Sequence, residues 1–198
     1  MDVKNRFIIL RKVRYGEADL IIQALSPQGE KMSFIARAAL KSKRRFGGGV
    51  LEPGHFVLFT YHAANTAVKM HTLKEASVIQ DFAGLRTDYD RLEFALKTVD
   101  AVGKVSQEGD SSSDFLFNLL GHTLKALEGA EKTEAIQVQF WLKLLLQQGV
   151  LTVESWMEPF LREPISNHAL ILNEGIREAR RLPGLEMLVE EYAKNAGL

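Results

Sequence analysis

The pattern of hydrophobic and polar positions along this chain changes period once, near residue 86. Before that point, apolar residues fall in short β-rich runs. After it, they recur every three or four positions. The run "RFIILRKVRY" is rich in strand formers and bounded by Gly16. "ADLIIQAL" and "KMSFIARA" flank "SPQGE", a Pro-Gly turn that predicts a hairpin. In the second of these runs Met32, Phe34 and Ala36 share one face, and Lys31, Ser33, Ile35 and Arg37 share the other. Further on, "HFVLFTYH" and "AVKMHTLKEASV" flank "AANT" and predict a second hairpin, with Val68 and Met70 alternating against Lys69 and His71. Five antiparallel strands in about 80 residues predict a small closed or partly closed barrel, because closure removes unpaired edges. An OB-type barrel is the most economical form. Periodicity leaves a small open sandwich as the alternative.

The second part reads as helices. "TDYDRLEFALKTVDAVGKV" offers Thr87 as N-cap and places Asp88 and Asp90 at the positive end of the dipole. Tyr89, Leu92, Leu96, Val99 and Gly103 then trace one face. "SSSDFLFNLLGHTLKALEG" carries a serine cap at Ser111–Ser113 and a stripe at Leu116, Leu119, Leu120, Thr123, Leu124 and Leu127, closing at Gly129. "TEAIQVQFWLKLLLQQG" repeats the period through Ile136, Phe140, Leu144 and Leu145 and stops at Gly149. Three helices with short connections predict an antiparallel bundle. Residues 150–173 contain Pro159 and Pro164 without a sustained period and read as an irregular extension. A last helix is expected from Leu185 to Asn195, with Leu185, Leu188, Val189 and Tyr192 facing inward and Pro183-Gly184 breaking it from what precedes. The expected class is α+β: a five-stranded barrel over 1–80 and a helical domain over 81–198.

Charge divides at the same place. Residues 1–80 hold 13 Lys/Arg against 6 Asp/Glu, and residues 81–198 hold 12 against 19, so a balance of +7 faces one of −7. That asymmetry points to nucleic-acid contact through the first part. The chain has no cysteine, which excludes disulfides and thiolate zinc sites. The start "MDVKNRFIIL" lacks the features of a signal peptide, and no apolar run approaches the roughly 18–20 residues of a membrane span. A cytoplasmic protein without membrane contact is expected.

Catalytic chemistry does not assemble from these residues. Ser111–Ser113 have no adjacent histidine or nucleophile elbow, and helix capping accounts for them. The histidines at 55, 62, 71, 122 and 168 never reach a helical metal-site spacing. "RFGGGV" lacks the Gly-Lys-Ser/Thr ending of a phosphate loop and runs into a strand. Phe140 and Trp141 read as core. No enzyme, metal or cofactor is expected.

Binding chemistry does assemble. In "RAALKSKRRFGGGVLEP", Lys41, Lys43, Arg44 and Arg45 crowd into five positions, ready to neutralise phosphates and release their condensed counterions. Phe46 beside them is either a stacking platform for a base or a hydrophobic plug under the loop. The glycines permit close backbone approach. Lys31 and Arg37 on the barrel extend the positive surface. Arg11 and Arg14 alternate to opposite faces, so one of the two joins them.

Several of these stretches resemble the RecO recombination mediators. "RKVRYGEADLIIQAL" is similar to that family's opening, and "GEKMSFIARAALKSKRRFGGGVLEPG" to its next strand, basic loop and Leu-x-Pro. "FAGLRTDYDRLEFA" resembles its passage from barrel to helices, and "FWLKLLLQQGV" its third helix. The resemblance implies an OB fold followed by helices. It also implies binding of single- and double-stranded DNA, annealing of complementary strands, and loading of the strand-exchange recombinase at the nucleoid onto DNA coated by single-strand-binding protein. A RecR-type partner comes with it. Many relatives carry a four-cysteine zinc module that this chain lacks, and their C-terminal third is longer. Where the family has Ala-Arg-Gly, this chain has Ala36-Arg37-Ala38, which implies that no glycine backbone is required there. Arg177, Arg180 and Arg181 form the basic cluster expected to meet the acidic tail of single-strand-binding protein. Two rival readings remain: an RNA-binding OB protein, and a protein-interaction adaptor whose acidic helical half binds partners.

Overall fold

The structure, a computed structural model, describes residues 2–64, 70–109 and 113–197. Val68 and Lys69 of the fifth expected strand, much of its preceding turn, and Ser111 and Ser112 lie outside the described residues. The chain forms two compact units, Met1–Phe82 with Ser106–Asn118, and Ala83–Val105 with Leu119–Leu198.

The first unit is a β-barrel of five strands: β1 (Asp2–Tyr15), β2 (Asp19–Leu25), β3 (Lys31–Ala36), β4 (Phe56–His62) and β5 (Met70–Gln80). They close in the order β1-β2-β3-β5-β4, with β4 returning to β1. Four of the pairings are antiparallel, and β3 with β5 is parallel. Hairpin signals report only neighbours in sequence, so that long-range parallel contact departs from the all-antiparallel expectation. Strand β1 makes closure possible. Its first half, Asp2–Ile8, pairs with β4, and its second half, Ile8–Tyr15, pairs with β2. A register irregularity between Ile9 and Arg11 bends it from one partner to the other.

Alternation fills the barrel with Phe7 and Ile9, Ile22 and Ala24, Phe34, Val57 and Phe59, and Leu73. Phe34 is central, with its ring edge-on to Phe7 at 5.1 Å, Phe59 at 5.2 Å and Tyr61 at 5.1 Å. Fully burying aromatic side chains of this size contributes on the order of 2–3 kcal/mol each. The segment after β3 is ordered: a 3-10 turn at Ala39–Lys41 and one helical turn, α1 (Lys43–Phe46), precede the glycines.

Residues 106–118, assigned by sequence to the helical half, pack on the barrel. Among the described residues strand β3 meets β5 over Ser33–Ile35, and the Lys31 N–H donates to the Gln107 carbonyl at 3.1 Å. The Ser33 hydroxyl donates to Glu108 Oε1 at 2.7 Å, and Phe117 sits edge-on to Phe56 at 5.9 Å.

The remaining helices are α2 (Tyr89–Val105), α3 (Phe115–Gly129), α4 (Glu134–Gln147), α5 (Glu158–Arg162), α6 (Leu172–Glu178) and α7 (Leu182–Asn195). In the second unit α4 is the hub, buried from Ala135 to Leu145 on most of its circumference, with α5, α6 and α7 against it. It ends in a Schellman motif: Gly149 at φ 71° lets its N–H reach the Leu146 carbonyl, while Val150 N–H reaches Leu145.

Three sequence expectations need correction here. Residues 150–154 have no regular structure, but from Ser155 the segment is a run of short helical turns. Pro159 starts α5 at a position where its missing N–H costs nothing. Gln139 Nε2 and Lys143 Nζ donate to the Glu163 and Leu161 carbonyls and hold the run in place. Helix α7 begins at Leu182, so Pro183 and Gly184 lie in its first turn, and its buried face is Leu185, Val189 and Ala193, with Leu188 exposed. Helix α2 is rotated from the expected face: Phe94, Thr98, Val99 and Val102 are buried, whereas Tyr89 and Leu96 are exposed. Its cap is Asp88, whose Oδ1 accepts the Arg91 N–H at 2.9 Å, and Thr87 instead closes the preceding 3-10 turn.

Candidate nucleic-acid interface

The cations singled out from sequence divide among three places. The first is the barrel end where β3 stops. Arg37, Lys41, Lys43 and Arg44 are exposed there. Lys41, Lys43 and Arg44 have no ion pair among the described residues, and the Arg37 guanidinium lies 4.0 Å from the Asp19 carboxylate. Arg14 belongs to the same end, because it pairs with Leu20 and Leu20 pairs with Ala36. Arg11 pairs with Gln23, which pairs with Ser33, and so stands on the opposite face of the sheet from Arg14.

Lys31 is elsewhere. It begins β3, about 17 Å along the strand from Ala36. It is half-buried, and loss of water lowers its pKa, against which the Glu108 carboxylate acts. His71, at the same end, is held below its ordinary range by burial, opposed by Glu30 and Glu108. The structure thus places Lys31 half-buried beside one carboxylate, at the far end of β3 from the basic turn.

The basic turn is fastened to the barrel. Arg45 donates through Nε to the Ser42 hydroxyl at 3.0 Å and through its guanidinium to the Arg37 carbonyl at 2.9 Å, fastening α1 to the end of β3. The same guanidinium lies 5.0 Å over the Phe46 ring. Phe46 itself is 7% exposed and belongs to the barrel core together with Val50 and Leu51. It is the plug and offers no face to a base. Arg45 is thereby a positioning residue that keeps its charge, and the cations whose side chains stand free in solvent are Lys41, Lys43 and Arg44.

Ala38 explains how the chain turns from β3 into this segment. Its φ of 52° is left-handed, the conformation a glycine takes without cost. Alanine therefore occupies a glycine-like position here, contrary to the expectation that the requirement had lapsed. Its N–H donates to Asp19 Oδ1 at 2.7 Å, which helps to hold it there.

The sequence reading missed an apolar strip, half-buried at Ile21 and Ile35 and exposed at Val13 and Tyr15. Side chains directly paired across strands point the same way, so Val13, Ile21 and Ile35 form one row on the outer face of β1-β2-β3. Val13 is 40% exposed and Tyr15, two residues along the strand, is 56% exposed. The signal was present in "RKVRY", where Val13 and Tyr15 share a face with Arg11.

In the helical unit, Arg177, Arg180 and Arg181 surround a single carboxylate, so the cluster keeps a net positive charge, with Arg177 and Arg180 exposed. Glu178 sits at its centre with a buried side chain, accepting from Arg177 Nε at 3.0 Å and Arg181 Nε at 2.7 Å. The hydrogen bond from Arg181 is the largest cause holding the Glu178 carboxyl below its ordinary range, with Arg177 adding to it against the cost of burial. Arg181 also lies 4.2 Å over the Trp156 ring. Arg180 forms no hydrogen bond to Glu178 but its charge also acts to lower that carboxyl's pKa. No described helix is long and apolar enough to cross a membrane.

Comparison with known proteins agrees with this architecture. Residues 1–82 match the family model described as Recombination protein O N terminal. The chain is similar to the DNA repair protein RecO of Rubrobacter xylanophilus, 34% identical over 147 residues that make up 74% of this chain and 57% of that protein. It is 31% identical over 153 residues to the RecO of Alkaliphilus metalliredigens, covering 76% of this chain and 59% of the relative. With the RecO of Dehalococcoides mccartyi it shares 28% identity over 173 residues, 86% of this chain and 63% of the other. The chain thus spans 57% to 63% of the length of these relatives. The match of the barrel residues to the RecO N-terminal model, with 34% identity to a RecO over 74% of this chain, places this chain in the RecO family.

Proposed function

We propose that this chain binds DNA as a recombination mediator in DNA repair, annealing complementary strands and assisting recombinase loading on strands coated by single-strand-binding protein. The observation that carries the reading is the group Lys41, Lys43 and Arg44, exposed at one end of an OB-type barrel with no carboxylate partner among the described residues. Each phosphate such a cation meets releases a condensed counterion, which gives affinity without sequence preference. Annealing needs little more than this. Two strands repel through their backbones, and a cationic surface that contacts phosphate leaves the base edges free to pair. Membership of the RecO family supports the repair setting, and the curated relatives are named for it. A RecR-type partner and single-strand-binding protein are the protein partners of this reading. It needs no catalytic group, metal or cofactor.

The test is the rate at which complementary oligonucleotides anneal with and without the protein, at two salt concentrations. The variant to compare carries Lys41, Lys43 and Arg44 replaced together by glutamine, with Arg45 left in place to hold the turn. Loss of acceleration, together with a shallower salt dependence, supports the reading. The slope should fall by up to about one per lost phosphate contact. Acceleration equal to that of the unaltered protein would remove the basic turn from the mechanism.

A further inference from the structure

We infer that Tyr15, with the row Val13, Ile21 and Ile35, is a base-contacting strip that makes this barrel prefer an unpaired strand to a duplex. The inference rests on the nucleic-acid reading above and adds to it the class of ligand and the residues that select it.

Phosphate contacts alone do not discriminate between single and double strands in favour of the former, because a duplex presents phosphate more densely. Preference for unpaired nucleic acid comes from surfaces that receive the exposed faces of bases, usually an aromatic ring with apolar neighbours. The barrel has one candidate. Phe7, Phe34, Phe46, Phe59 and Tyr61 are buried, and among the described aromatic residues of this unit only Tyr15 is exposed beyond half its surface.

The register places everything else such a strip needs around that ring. Val13 pairs with Ile21 and Ile21 with Ile35, so three apolar side chains cross three strands over about 10 Å. Tyr15 stands one step up the same face, opposite Asp19, whose carboxylate is engaged by the Ala38 N–H and faces the Arg37 guanidinium. Arg11 stands one step down on that face, opposite Gln23. Arg11 therefore closes the row below and Arg37, beside the Asp19 carboxylate, closes it above, with the turn that carries Lys41, Lys43 and Arg44 following Arg37 in the chain. This is the complement of a strand whose backbone is anionic and whose bases are apolar on their faces. The lower boundary is also set by chemistry. Ser33, next in the row of Arg11 and Gln23, is covered by the Glu108 carboxylate, whose charge repels phosphate.

A protein partner would also bury an apolar strip, so the test must separate bases from other occupants. Binding of a labelled oligothymidylate and of a duplex of equal length is measured by anisotropy on the full chain, for the unaltered protein, Tyr15→Ala and Tyr15→Trp. Tyr15→Ala is expected to bind the single strand about tenfold more weakly, with unchanged duplex affinity and unchanged salt slope. Tyr15→Trp is expected to restore single-strand affinity, and its indole emission should be quenched on addition of oligothymidylate. Equal losses on both ligands, or no loss on the single strand, would overturn the strip while leaving the cationic turn standing. Failure of the unaltered protein to bind either ligand would overturn the nucleic-acid reading and the strip with it. Quenching of the tryptophan by oligothymidylate is a readout that a merely structural role for Tyr15 would not produce.

Discussion

Arg45 reaches back to the last residue before the turn it belongs to, its guanidinium donating to the Arg37 carbonyl oxygen at 2.9 Å. A charge in a basic run can thus serve the protein rather than its ligand. The four cations at 41, 43, 44 and 45 look equivalent in sequence, but Arg45 alone among them has side-chain donors engaged by the protein and its guanidinium 5.0 Å over the Phe46 ring. Replacing Arg45 with alanine is expected to cost about 1–2 kcal/mol of stability through these lost hydrogen bonds. Lys43→Ala and Arg44→Ala, on exposed side chains, should stay within about 0.5 kcal/mol. Urea midpoints of the three single variants check this, and affinity for oligonucleotide should show the reverse ranking.

Phe46 makes a second contrast with what an exposed stacking residue would do. It is buried with Val50 and Leu51 in the barrel core, so Phe46→Ala removes a packed ring and should destabilise the fold by about 3–5 kcal/mol. Phe46→Leu keeps most of the apolar volume. It should retain DNA affinity close to that of the unaltered protein, whereas a stacking residue would lose affinity in both variants. Titration of oligonucleotide into folded Phe46→Leu protein decides between the two roles.

Ala38 predicts a gain. A left-handed alanine is strained by roughly 1 kcal/mol relative to glycine, which takes the same conformation freely. Ala38→Gly should therefore raise stability by up to about 1 kcal/mol, less the added freedom of glycine in the unfolded chain. The Asp19 carboxylate should still accept the N–H of residue 38. Thermal unfolding of Ala38→Gly beside Asp19→Ala measures both. A fall in melting temperature for the glycine variant would show that the turn does not hold its strain at this residue.

These residues also show what was legible in the chain. Alternation in "KMSFIARA" placed Phe34 and Ala36 inward and Arg37 outward, because a half-buried strand permits only one face to the core. Helix α4 was equally plain, being apolar at helical spacing and closed by Gly149. The parallel β3-β5 contact was not legible, because local turn signals carry no information on a pairing across 35 or more residues. Nor was the division of labour within the basic run. Whether an arginine meets solvent or a carbonyl depends on how the turn packs, and Arg44 and Arg45 are adjacent in sequence. The prolines misled for a related reason: Pro159 and Pro183 interrupt a period but occupy helix starts, where their missing N–H is no loss. Tyr15 was legible in principle, as the last residue of an alternating strand on the face opposite the core.

Glu178 gives a pH-dependent prediction. Its carboxylate is buried between Arg177 and Arg181, and the Arg181 hydrogen bond leads in holding its pKa below the ordinary glutamate range. A carboxyl with a lower pKa in the folded state than in the unfolded state adds stability at neutral pH. That stability begins to be lost once pH falls to the unfolded value, and it is gone below the folded one. The unaltered protein should therefore weaken as pH is lowered through and beyond the ordinary glutamate range. Glu178→Gln should be weaker at neutral pH and flatter across that same window. Arg181→Lys keeps the charge but gives up the planar contact 4.2 Å over Trp156, so it should retain part of the pH dependence while altering the indole emission. Urea midpoints taken from neutral to acid pH for the three proteins test the linkage. Parallel curves for the unaltered protein and Glu178→Gln would show that this carboxylate does not carry it.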